Sequence, residues 1–144
     1  MNTVDALRRL KADHEDFLLL FRDLENAVAT ADQPNLQRTW SEFERRLVGH
    51  IDAEEKHLLP CLSRSHPNEV RHILSDHVRF RRLLADMGVR CDLHVLRLTE
   101  ANELLSLLGS HAMLEDETVY KWAEAELDEH HSESLFALLR PINT

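Results

Sequence analysis

Two stretches of this chain are each repeated once, at nearly the same spacing, and the double repeat restricts the chain to paired helices. Residues 13–17, DHEDF, are echoed by residues 76–80, DHVRF, and residues 50–55, HIDAEE, by residues 111–116, HAMLED. From His14 to His50 is 36 residues, and from His77 to His111 is 34. The chain therefore reads as two copies of one helical hairpin.

Hydrophobic periodicity supplies the helices. Apolar residues recur at steps of three and four through Leu7, Leu10, Phe17, Phe21, Leu24 and Val28, then through Leu36, Trp40, Phe43, Leu47 and Leu58. A third run includes Val70, Ile73, Phe80, Leu84 and Met87, and a fourth Leu104, Leu108 and Trp122. Breaks fall at ATADQPN (29–35), at LPCLSRSHPN, which stops the second helix and whose two prolines mark a turn, and near GVRCD (88–92). DEHHSES ends the fourth run, and SLFALLRP would form a short fifth helix. No strand pattern competes, and short connections favour an antiparallel up-down-up-down four-helix bundle. The expectation is all-α: one domain over 1–144, with the bundle over about 3–128 and a C-terminal helix over about 132–140.

Charge narrows the function. A net charge of −9 without a basic stripe argues against nucleic acid and anionic membrane surfaces. No apolar run approaches the roughly 20 residues of a membrane span, and the first residues lack the apolar core of a signal peptide. Two cysteines with no CxxC pattern suggest a reducing compartment, with the cytoplasm as the default. Counted from the turns, Cys61 and Cys91 should lie at opposite bundle ends, roughly 35 Å apart, and so remain unbridged. Ten histidines are the unusual feature of the composition.

Four of those histidines should share one layer. Residues at equal depth in an antiparallel hairpin are equidistant from its turn. The midpoint of His14 and His50 is 32, that of His50 and His77 lies between 63 and 64, and that of His77 and His111 is 94. The first two fall inside turns chosen on proline and polar residues alone, and the third falls just past a break. Glu54 and Glu115 each follow a layer histidine by four residues, one turn along the same face. Four imidazoles in an apolar core are costly without partners, and two carboxylates supply charge that a cation would balance. Imidazole plus carboxylate suits iron, zinc or manganese, and two glutamates able to bridge suggest a dinuclear site. The candidate ligands are His14, His50, Glu54, His77, His111 and Glu115.

The ordered set His14, His50-IDA-Glu54, His77, His111-AML-Glu115 resembles the haemerythrin family, specifically its HHE cation-binding domain, over residues 3 to about 128. Glu55, Leu58, Leu59 and Pro60 fit the same resemblance. It implies a left-handed bundle around a non-haem pair of iron ions joined by Glu54, Glu115 and an oxo or hydroxo group. It further implies a small ligand (dioxygen, nitric oxide or peroxide) in sensing, detoxification or iron handling. The oxygen carriers of the family add a fifth histidine on the third helix, where this chain has Ile73 and Arg81. The resemblance with these departures points to two open metal positions, to reactivity rather than reversible oxygenation, and away from iron–sulfur repair. Catalytic turnover and a protein partner are left unassigned. The alternative is a non-redox metal-binding or protein-interaction bundle.

Other residues receive lesser roles. His57 shares the face of His50 and Glu54 about 10 Å further along, so it packs at the bundle end or backs the site. Asp116 lies about 140° from His111 around an α-helix, against about 40° for Glu115, and would replace it only if the helix bulges. A ferritin-like pattern of Glu54–His57 and Glu69–His72 would leave His111 and Glu115 without a purpose. His66, His72, His94, His130 and His131 read as solvated, Asp13 and Asp76 as capping or surface residues. Phe17, Phe21, Phe43, Phe80 and Trp122 read as core, some walling a ligand pocket. Tyr120, the single tyrosine, is read as offering at most a redox role.

Overall fold

The computed structural model describes residues 3–127, and the C-terminal helix expected at about 132–140 lies outside them. The first helix is Thr3–Ala29. The second runs Gln33–Ala53, continues through a π-helical segment at Glu54–Leu58 and finishes as Leu59–Leu62. The third is Pro67–Asp92. The fourth runs Leu98–Leu114, passes through a second π-helical segment at Glu115–Val119 and ends at Tyr120–Glu126. Each helix packs on its two neighbours around a closed circuit, the first against the fourth as well as the second. The described residues form an all-α four-helix bundle.

Local chemistry explains the turns. Ala31 takes a left-handed conformation (φ 55°) that ends the first helix. Asp32 then caps the second, its carboxylate accepting the Asn35 amide at 3.2 Å, with Pro34 in the first turn where a missing N–H costs nothing. Pro67 opens the third helix in the same way. The Glu100 carboxylate accepts the Arg97 amide at 3.0 Å to start the fourth.

The second helix ends at Leu62, inside the LPCLSRSHPN stretch, with the turn between the two prolines, and Pro60 itself lies within the helix. A proline inside an α-helix clashes with the carbonyl four residues before it. The π-helical segment loosens the backbone at that point, and the Leu59 amide reaches back five residues to the Glu54 carbonyl. The fourth helix makes the matching bond from Tyr120 to Glu115 with no proline near it.

The core has two apolar parts. One holds Phe17, Phe21, Trp40, Phe43, Phe80 and Leu84 among others; the second holds Leu7, Leu10, Leu58, Leu62, Ile73 and Val119. Cys91 belongs to the first and Cys61 packs against the second, so the two cysteines lie in separate parts of the core. In sequence, every helix passes from one apolar part to the other through a polar layer: His14, then His50 and Glu54, then His77, then His111 and Glu115.

Candidate metal centre

The heptad-like spacing that turns leucine and phenylalanine inward also turns this layer inward. His50, His77, His111, Glu54 and Glu115 are buried, and the His14 side chain is 11% exposed. The His14 and His50 rings stand 5.1 Å apart and the His77 and His111 rings 5.2 Å apart. The equal depth inferred from the turns is the depth observed.

The four imidazoles present Nε2 to the interior. His77 Nε2 lies 3.2 Å from Glu54 Oε1, and His50 Nε2 lies 3.4 Å from Glu54 Oε2, so one carboxylate reaches towards both histidine pairs. Glu115 Oε1 is 3.2 Å from His14 Nε2 and 3.3 Å from His111 Nε2. Two groups of donor atoms result, each compact enough to surround an ion. Glu54, His77, His111 and Glu115 form one; His14, His50 and Glu115 form the other. Glu115 belongs to both.

Behind each imidazole stands a carboxylate facing Nδ1. Asp13 accepts from His50 at 2.9 Å, Asp76 from His111 at 2.8 Å and Glu55 from His77 at 2.7 Å. Asp116 Oδ1 is 3.6 Å from His14 Nδ1, on a side chain that is 45% exposed. Such partners fix the tautomer, aim the other nitrogen and raise its basicity towards a metal. This corrects the surface roles expected for Asp13 and Asp76. Each points away from the histidine beside it in sequence and holds the layer histidine of the next helix. Arg81 braces Glu55 at 2.9 Å and also binds Asp52 at 2.9 Å.

The electrostatics suit a cation. Burial alone would lower the His50 pKa, but the Glu54 charge and the Asp13 and Glu54 bonds raise it to about 10. Burial likewise opposes protonation of His111, and Glu115, Glu54 and Asp76 lift it to about 9. Glu54 is pushed up by burial yet held well below the usual carboxylate range by His50 and its hydrogen bonds. Protons on imidazole thus stand where a metal would place its charge. Glu54 Oε1, His77 Nε2 and Glu115 Oε2 are buried without a hydrogen bond, which leaves lone pairs for an ion to take. Nitrogen and oxygen donors with no thiolate match iron, zinc or manganese.

Neither His57 nor Asp116 joins a donor group among the described residues. The helix does bulge, but the π-helical segment begins at Glu115 and leaves that residue in the layer. Ile73 is buried in the apolar core, and Arg81 is committed to Glu55 and Asp52, so neither position offers a further imidazole. His72 and His94 are exposed, whereas His66 stacks on Trp122 at 3.7 Å and pairs with Glu126; His130 and His131 lie outside the described residues.

Tyr120 was not anticipated. Its hydroxyl donates to Glu54 Oε2 at 2.7 Å and stands 3.2 Å from Glu115 Oε1, 3.2 Å from His14 Nε2 and 3.4 Å from His50 Nε2. Burial, then the charges of Glu115 and Glu54, hold its pKa well above that of an ordinary phenol.

On the opposite side of the layer is a cavity of about 10 Å³ walled by Phe17, Leu47, Ile51, Phe80 and Leu108 and reaching His14, His50 and His111. Phe17 and Phe80 meet His50 and His111 edge-on at 5.3 and 5.0 Å. A larger surface groove between the first and fourth helices shares His14, Phe17, Leu108 and Ala112 with it. No helix among the described residues is long and apolar enough to cross a membrane.

Comparison with known proteins is consistent with this geometry. The Hemerythrin HHE cation binding domain matches residues 5–123. No curated protein and no solved structure matches the chain.

Proposed function

Because the chain belongs to the haemerythrin HHE cation-binding family, we propose that it holds a pair of iron ions and binds or reacts with one small ligand, dioxygen, nitric oxide or peroxide. The observation that carries this reading is the pair of donor groups with two histidines each, meeting at Glu115. His14 and His50 would hold one ion, His77 and His111 the other, with Glu54 and Glu115 spanning them. Zinc or manganese would fit the same donors but not the same use. Bound iron would supply electrons and coordination positions to the incoming ligand.

The protein's own residues set the conditions. Asp13, Asp76 and Glu55 keep three imidazoles aimed inward and prevent them from turning when the layer is loaded. The cavity of about 10 Å³ has space for about one water-sized molecule, which favours the smallest ligands and excludes organic substrates. Its phenylalanine and leucine walls offer a polar ligand nothing but the centre itself. The surface groove at His14 provides the approach.

Metal analysis and optical spectroscopy of protein purified without chelator test the proposal. The expected result is two iron ions per chain with visible ferric absorption that responds to nitric oxide or peroxide. Stoichiometric zinc with no iron uptake would defeat it in favour of a non-redox metal bundle.

A further inference from the structure

The two donor groups are unequal. One has four protein donors, Glu54, His77, His111 and Glu115; the other has three, His14, His50 and Glu115. The Tyr120 oxygen lies within 3.4 Å of the donor atom of every member of the smaller group: His14 Nε2 at 3.2 Å, His50 Nε2 at 3.4 Å and Glu115 Oε1 at 3.2 Å. Those distances have a meaning. Neighbouring ligands on one ion, each bonded at about 2.1 Å, are separated by roughly 3.0 Å in an octahedron and roughly 3.4 Å in a tetrahedron. The phenol oxygen is therefore spaced from these three atoms as a further ligand on the same ion would be. Resting on the di-iron reading above, we propose that Tyr120 is a protein ligand to the ion held by His14, His50 and Glu115.

Backbone geometry brings it there. Five residues along an α-helix turn a side chain about 140° away, which would take Tyr120 out of the layer. The π-helical segment closes its turn in five residues, with the Tyr120 amide bonded to the Glu115 carbonyl, and so stacks Tyr120 over Glu115. The first hairpin has the same backbone turn after Glu54, but its equivalent residue is Leu59, which is buried and offers no donor atom. The extra ligand is available at one end of the centre only. Tyr120 also stacks on the His14 ring at 19° between planes, which fixes the phenol in place before any ion arrives. On coordination the oxygen gives up the proton that it now donates to Glu54, and that proton leaves to solvent. One of the two open positions expected from the sequence is then filled, and the exogenous ligand is confined to what remains open beside the Phe17–Phe80 cavity.

Tyr120 is the only tyrosine of the chain, so ring-deuterated tyrosine labels this residue alone. Resonance Raman spectra of iron-loaded protein, labelled and unlabelled, are the test, with iron counted in the same samples. The expected result is phenolate ring modes that shift on labelling and vanish in Tyr120→Phe. In that variant one of the two ions should also be lost to a chelator at least ~10-fold more readily. Two bound iron ions without any label-sensitive mode would overturn the assignment, leave Tyr120 as a hydrogen-bond donor to Glu54, and spare the di-iron reading. Failure to bind iron at all would remove both.

Discussion

Removing the charge of Asp76 should weaken metal binding in proportion to how well that carboxylate is shielded from water. Asp76 Oδ2 accepts the His111 Nδ1 proton at 2.8 Å and its side chain is 12% exposed, so little solvent screens the pair. Outer partners of this kind are typically worth 10–100-fold in affinity, or ~1.4–2.8 kcal/mol. Asp76→Asn keeps an acceptor oxygen and should fall near the lower figure; Asp76→Ala strands a buried N–H and should approach the upper one. Asp13→Asn should behave similarly through His50, at 2.9 Å and with a side chain 9% exposed. Glu55→Gln should cost less, because that side chain is 28% exposed and shared with Arg81. Asp116→Asn should change affinity by less than ~3-fold, its carboxylate being 45% exposed and 3.6 Å from His14. Competition against a chromophoric chelator measures all five variants. Equal effects across the series, or a larger loss at Asp116 than at Asp76, would refute the orienting role.

Glu115→Ala should empty both metal positions, because Glu115 is common to both donor groups, whereas Glu54→Ala should release the His77–His111 ion first; elemental analysis after dialysis decides. Metal-free protein should lose stability as pH rises. His111 and His50 are raised to about 9 and about 10 in the fold, so their contribution is complete below about 6.5 and lost as pH climbs through those values. Melting in excess chelator from pH 6.5 to 10 should show a steady fall, and a flat profile would contradict it. Ala31→Gly should stabilise the protein by up to ~1 kcal/mol, since the left-handed strain it relieves exceeds the entropy that glycine adds to the unfolded chain; urea unfolding reads the difference.

The layer was legible because depth in an up-down bundle is written as sequence distance from a turn, and the turns carried prolines and polar runs. What the sequence concealed lay across helices and in the bulges. Asp13 and Asp76 were set aside because each points away from its own neighbouring histidine. The signal was nevertheless present: Asp-His occurs once in each half, 37 residues before His50 and 35 before His111. Tyr120 carries no signal in a regular helix, because 100° per residue turns it out of the layer and only the π-helical segment brings it in. Pro60 hints at the first such segment. Nothing comparable marks the second, which only the repeat itself could have suggested.

That second segment bears on symmetry. Two identical hairpins paired about a two-fold axis would build the whole layer, each giving two histidines and one glutamate. Any residue placed five positions after the glutamate would then appear twice, on both ions, because a two-fold axis copies every change. Joining the hairpins in one chain removes that obligation. Leu59 and Tyr120 occupy equivalent backbone positions and have diverged completely, one an alkyl chain, the other a phenol inside the polar layer. The covalent connection between the halves does more than shorten a search for partners: it lets the two donor groups of an otherwise symmetric layer become chemically distinct.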